Sequence, residues 1–84
     1  MHVEFFGVSR ERAGVDEVDV QADTLGGLLG TLAARMPRLA ELIEANRLHP
    51  SLAANLNGDV FISDPDTPLG EHDRVLIIAS DAGG

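Results

Sequence analysis

Asp81, Ala82, Gly83 and Gly84 close the 84-residue chain, and the last two positions carry no side chain at all. Chemistry at such an end must use backbone atoms, and the group on offer is the carboxylate of Gly84. Without Cβ the terminal arm is thin. Glycine also reaches φ/ψ regions closed to other residues, so the carbonyl carbon can be turned toward a nucleophile without crowding. Four extended residues reach roughly 13 Å, enough to pass down a narrow channel in another protein. From these four positions alone, a frayed terminus built of small residues would read the same way.

The rest of the chain is poor in catalytic groups. It has no Cys, which excludes a thiolate nucleophile, a disulfide and a cysteine metal site. All of its basic residues are Arg, so no Lys amine exists to intercept an activated Gly84, although a genomic preference for Arg would leave the same mark. His2, His49 and His72 are too scattered for a metal-ligand spacing, and no metal site is expected. Carboxylates are abundant. With no Ser/His/Asp arrangement and little room for a deep cleft, a resident active site is nonetheless not expected. Gly26-Gly27 fits neither the GxxxxGKS/T nor the GxGxxG phosphate-binding pattern, so close packing is its better explanation.

A net charge of −8 repels phosphate backbones, which argues against nucleic acid and for partners with basic surfaces. Hydrophobic content of 44% argues for a folded chain. No apolar run approaches the ~20 residues of a membrane span, and the start lacks the pattern of a signal peptide. The expectation is therefore a cytoplasmic protein without membrane contact. This length suits one domain with one modest core.

The elements that must carry the tail follow from local pattern. Residues 2–8 alternate as a strand, with Val3 and Phe5 on one face and His2, Glu4, Phe6 and Val8 on the other. Residues 9–14 suit a turn or one loose helical turn. Residues 17–21 alternate again, as the second strand of an antiparallel pair. Asp23 or Thr24 can cap a helix whose Leu25, Leu28, Leu29, Leu32 and Met36 form one apolar stripe. Three glycines in that helix cost about 1 kcal/mol each relative to Ala, so it depends on its leucines. Pro37 should end it, and a second short helix through Leu39, Leu42 and Ile43 is expected before Pro50. Residues 51–56 and 60–62 read as a hairpin with a two-residue turn at Asn57-Gly58, since both residues tolerate positive φ. Residues 64–69 form a rigid polar loop whose Leu69 can tuck beneath the domain. Residues 75–79 are unbroken in apolar character, as a central strand covered on both faces would be. Strand, strand, helix and three strands, with the last beside the first, give an α+β mixed sheet with one main helix on one face, the β-grasp arrangement. It should span residues 1–80, with a flexible tail at 81–84.

At the level of particular residues the chain resembles the ubiquitin-like sulfur-carrier family of MoaD/ThiS type, and within it most resembles the small subunits of molybdopterin synthase. The resemblance lies in Val3-Glu4-Phe5-Phe6-Gly7 with Arg10-Glu11 and Gly14, in Thr24-Leu25 with Leu28-Leu29, in Asn57, in Thr67-Pro68-Leu69 with Asp73 and Val75, and in Gly83-Gly84. It implies a carrier that is not an enzyme by itself and binds no cofactor of its own. An E1-like adenylating enzyme would use ATP to adenylate Gly84, the adenylate would become a thiocarboxylate, and the sulfur would pass to a precursor bound by the large subunit of molybdopterin synthase. Such chains commonly have Gly where this one has His72, so some strain is expected there. They also commonly carry two prolines and an apolar residue where this chain has Ala79-Ser80-Asp81. That difference leaves open a thiamin-thiazole, cysteine-forming or specialised-metabolite pathway with another sulfur-accepting enzyme. A ubiquitin-like protein modifier or interaction domain is the other reading. Phe6, an aromatic among polar neighbours, is the expected anchor for the partner that receives the tail.

Overall fold

In the computed structural model, which describes residues 1–80, the first strand shows why alternation is a reliable guide. Along β1 (His2–Phe5) the side chains are half-buried, buried, half-buried and buried in turn, with Val3 and Phe5 wholly enclosed. The strand is shorter than expected. Gly7 takes φ +60, and the chain turns there into α1 (Val8–Ala13), a true short helix that replaces the expected end of the strand and the loose turn. Gly14 closes that helix in the left-handed region, where its N–H donates to the Arg10 carbonyl. β2 (Glu17–Asp19) returns antiparallel to β1.

Thr24 caps α2 (Leu25–Arg35) by accepting from the Gly27 N–H at 3.1 Å. The remaining free donors of the first turn go to the polar loop: Leu25 N–H to the Thr67 carbonyl at 3.0 Å and Gly26 N–H to the Pro65 carbonyl at 2.8 Å. That loop lies so close that a Cβ on Gly26 would stand 3.0 Å from Pro65 Cβ and 3.1 Å from its carbonyl oxygen. Close packing thus accounts for Gly26, and Leu69 is buried beneath the domain as expected.

Pro37 does end α2, with Met36 held extended before it, and then serves as the first residue of α3 (Pro37–Ala40). The second helix stops earlier than its apolar spacing suggests. Ile43 belongs instead to a two-stranded ribbon, β3 (Ile43–Glu44) with β4 (Arg47–Leu48), turned by Ala45 and Asn46 at φ 52 and 59. Positive φ at both central residues matches the twist of a tight hairpin, and Ala at the first of them gives no warning of it.

β5 (Leu52–Leu56) and β6 (Val60–Ile62) form the expected hairpin, but Leu56 pairs with Val60, so the turn is the three residues Asn57, Gly58 and Asp59 and not two, with Asn57 and Gly58 at φ 60 and 72. β7 (Arg74–Ala79) is central: the sheet order is β2-β1-β7-β5-β6, with β7 parallel to β1 and antiparallel to β5. Within it only Val75 and Ile77 are buried, while Leu76 and Ile78 are half-buried. The expected cover on both faces is thus found on one, because the helices pack on one face of the sheet. The Asn57 amide joins the hairpin to the start of β7, donating to Asp73 Oδ1 at 3.0 Å and accepting from the Arg74 N–H at 2.8 Å. The Gly70 N–H, and after it the Asn57 amide, hold the Asp73 carboxyl below its ordinary value of 3.8. His72 is not among the residues with positive φ, so the strain expected there is absent. One face of the sheet, with Val3, Phe5, Leu52, Ala54, Val75 and Ile77, packs on Leu25, Leu28, Leu29, Leu32 and Leu39 as a single core. No helix among the described residues is long and apolar enough to cross a membrane.

Candidate functional site

Asp81, Ala82, Gly83 and Gly84, which are expected to carry the reactive carboxylate, lie outside the described residues. What the fold does show is how the strand leading to them is held. On one side of β7 the Ser80 N–H donates to the Ser51 carbonyl at 2.9 Å, continuing the β5 ladder. On the other side the Phe6 N–H reaches the Ile77 carbonyl at 3.1 Å, continuing the β1 ladder.

Ser9 adds a third tie that the sequence did not flag. It is fully buried at the start of α1, with its Oγ 2.7 Å from the Ile77 carbonyl and 2.9 Å from the Phe6 carbonyl. The same oxygen accepts from the Phe6 N–H at 3.0 Å. A hydroxyl has one proton and two lone pairs, so a single side chain can satisfy both kinds of backbone group at this junction. Ser9→Ala should therefore cost about 1–3 kcal/mol in chemical denaturation, because buried polar groups lose a partner. A variant as stable as the wild type would show that the hydroxyl does not hold the junction.

The helix-free face of the sheet is the surface beside that exit. Since Leu52, Ala54, Val75 and Ile77 face the core, the alternate residues Ala53, Asn55, Leu76 and Ile78 must face away from the helix. Phe61 stands opposite Asn55 in the register and is 66% exposed. Phe6 lies just past the end of β1, is 37% exposed, and has the Arg10 guanidinium 5.7 Å from its ring centroid. Phe61 is thus the more exposed aromatic, and it was missed because Val-Phe-Ile in a short strand looks like core.

The opposite corner of this face is acidic. Glu4 and Glu17 are direct cross-strand partners, as are His2 and Asp19. His2 Nε2 lies 3.4 Å from Glu17 and 3.6 Å from Glu4, its Nδ1 lies 3.2 Å from Asp19, and Arg74 Nε is 3.3 Å from Glu4. The Asp19 hydrogen bond, aided by the charges of Glu17, Asp19 and Glu4 and opposed by desolvation, raises the His2 pKa above 6.5. One donor atom each from His2, Glu4 and Glu17 falls within 4.8 Å of the others, a grouping that spacing along the chain concealed. His49 and His72 take no part in it.

Where β7 ends, a cleft of about 500 Å³ is lined by Leu25, Leu29, Leu48, Phe61, Ile78 and Ala79 among others. Among the described residues its lining includes Arg47, Ser63 and Ser80 but no carboxylate, histidine or cysteine.

A mixed five-stranded sheet with its main helix on one face, and with the tail led out from a central strand, is the β-grasp arrangement of ubiquitin-like carriers and modifiers. The family model described as the ThiS family matches residues 3–84, and the chain belongs to that family. A comparison with curated protein sequences finds no match. Among solved structures, small archaeal modifier protein 1 (SAMP1) of Methanosarcina acetivorans is similar over 99% of this chain and 94% of its own, at 23% identity and a TM-score of 0.79. A chain of the BexX/CysO complex of Amycolatopsis orientalis is similar over 99% and 98% respectively, at 19% identity and a TM-score of 0.78. A Pyrococcus furiosus protein provisionally described as molybdopterin converting factor, subunit 1, is similar over 94% of both chains, at 21% identity and a TM-score of 0.78.

Proposed function

We propose that this chain is a cytoplasmic sulfur carrier whose working group is the Gly84 carboxylate. A carboxylate with a pKa of roughly 3.5 is ionised at neutral pH and is a poor electrophile. It attacks the α-phosphorus of ATP held by an E1-like adenylating enzyme, pyrophosphate leaves, and an acyl adenylate remains. A sulfide-equivalent donor then attacks the carbonyl carbon, AMP departs with the oxygen, and a thiocarboxylate is left. The carrier contributes position and no catalytic residue. Its body is held by the partner while the thin tail enters the partner's channel, so that diffusional encounter becomes fixed geometry. The observation that carries this reading is the strand before the tail: β7 is central, and it is bonded on both sides up to Ile77 and Ser80.

The acceptor we favour is the large subunit of molybdopterin synthase, in molybdenum cofactor biosynthesis. The motif resemblance supports it, and so does the description of the Pyrococcus furiosus relative. Thiazole, cysteine and specialised-metabolite pathways differ from this only in the acceptor, and Ala79-Ser80-Asp81 is the feature that favours them. A protein-modifier reading draws on the modifier names of other relatives. Docking is assigned to the helix-free face, where Phe6 is joined by Phe61, Leu76 and Ile78.

Incubation with the cognate adenylating enzyme, ATP and a sulfur donor should replace one terminal oxygen by sulfur, read by intact-protein mass. No mass change, or one that persists after Gly84 is deleted, overturns the carrier reading. Isopeptide-linked conjugates in place of the thiocarboxylate would establish the modifier instead.

A further inference from the structure

Asn55 occupies an odd place. It sits mid-strand on the helix-free face, paired in register with Leu76 of β7 and Phe61 of β6, where an apolar or β-branched residue would be the unstrained choice. It is only 9% exposed, and its Oδ1 is covered from water with no hydrogen-bond partner among the described residues. Buried polar atoms in native proteins are nearly always paired, so an unpaired one calls for an explanation. We infer that Asn55 is a selectivity residue of the docking face. Its Oδ1 accepts a hydrogen bond from the E1-like adenylating enzyme that takes in the tail, a partner whose docking surface is apolar around one donor and basic at its rim.

The inference rests on the carrier reading for the existence of that partner and adds what its surface must present. A partner covering this face with apolar groups alone would leave Oδ1 permanently unpaired and would be disfavoured, whereas one that brings an N–H or O–H satisfies it. Phe61, 66% exposed, is the cross-strand neighbour of Asn55 and offers that partner an apolar contact beside the donor. The basic rim follows from the acidic corner of the same face. Glu4 and Glu17 stand directly opposite one another, Asp19 lies beside them, and among the described residues His2 and Arg74 are the basic groups within ion-pair distance of these carboxylates. Like charges directly opposed across a strand pair are destabilising, and an incoming Arg or Lys relieves them.

The test uses the full chain and its cognate E1-like adenylating enzyme in ATP–pyrophosphate exchange, with the carrier as the varied substrate. Asn55→Leu should raise KM by about tenfold or more with kcat unchanged, since the partner's donor is left unpaired. Its thermal midpoint should equal or exceed that of the wild type, because an unpaired buried acceptor has been removed. A merely structural role for Asn55 requires the opposite, a lowered midpoint. Asn55→Asp, which keeps an acceptor, should exchange with a lower KM than Asn55→Leu. Glu17→Gln should flatten the dependence of KM on salt concentration. A KM for Asn55→Leu within about twofold of wild type overturns the Asn55 contact, as does a KM for Asn55→Asp above that of Asn55→Leu. An unchanged salt slope for Glu17→Gln overturns the basic rim. If the wild type supports no exchange, it is the carrier reading that has failed, a result distinct from a wild type that exchanges and a variant that matches it.

Discussion

A chain extended by one residue beyond Gly84 is expected to fold like the wild type by circular dichroism and to lose adenylation altogether. The extension converts the Gly84 carboxylate into an amide, whose oxygen is too weak a nucleophile to displace pyrophosphate. The new carboxylate lies about 3.5 Å farther along. It also sits on a residue whose Cβ thickens an arm that Gly83 and Gly84 keep thin. Folding should be indifferent, because among the described residues the core cluster runs from Met1 to Ile77 and already encloses the sheet and the main helix. Pyrophosphate exchange and intact mass together check the expectation. Normal sulfur transfer by the extended chain, without removal of the added residue, would show that Gly84 is not the acceptor of the adenylate.

The second large effect separates two neighbouring phenylalanines. Phe5 is fully enclosed in one core with Leu28, Leu29 and Leu32. Phe5→Ala should cost about 3–5 kcal/mol, a large part of the 5–15 kcal/mol that typically holds a domain together. Phe5→Asp, which puts a charge in that space, should unfold the chain. Phe6 is 37% exposed, and truncating or charging it removes little buried area. Phe6→Asp should remain folded by circular dichroism while partner binding falls, since an exposed aromatic beside Ile78 and the exit of β7 is a natural anchor. Exchanged outcomes would mean that Phe6, not Phe5, is the core residue, and normal binding by Phe6→Asp would remove Phe6 from the docking face.

Much of the architecture was legible because it is written in short-range pattern. Alternation placed Val3 and Phe5 in the core, and the leucine stripe and Thr24 defined α2. Asn57-Gly58 announced its hairpin, and unbroken apolar character marked β7 as central. Each of these signals lies within a few residues of what it determines, and each reflects a local rule of side-chain direction, capping or turn geometry. The proposal that Gly84 carries the working carboxylate likewise rests on the residue types at positions 83 and 84.

Tertiary structure decided what depends on residues far apart in the chain. Ser9 looked like part of a polar turn until the fold brought the Ile77 carbonyl, 68 positions away, to its hydroxyl. The β3–β4 ribbon overrode an apolar spacing that suited a helix, because Ala45 and Asn46 accept positive φ once Ile43 and Leu48 pack against the core. Phe61 became a surface residue, and Asn55 a buried one whose Oδ1 has no partner among the described residues, only through the register of β5 between β6 and β7. The His2 corner needed β1 and β2 to bring Glu4, Glu17 and Asp19 together. Local pattern dictates which face of an element is apolar, but which polar groups meet on the other face is set by strand pairing, and pairing is a property of the folded whole.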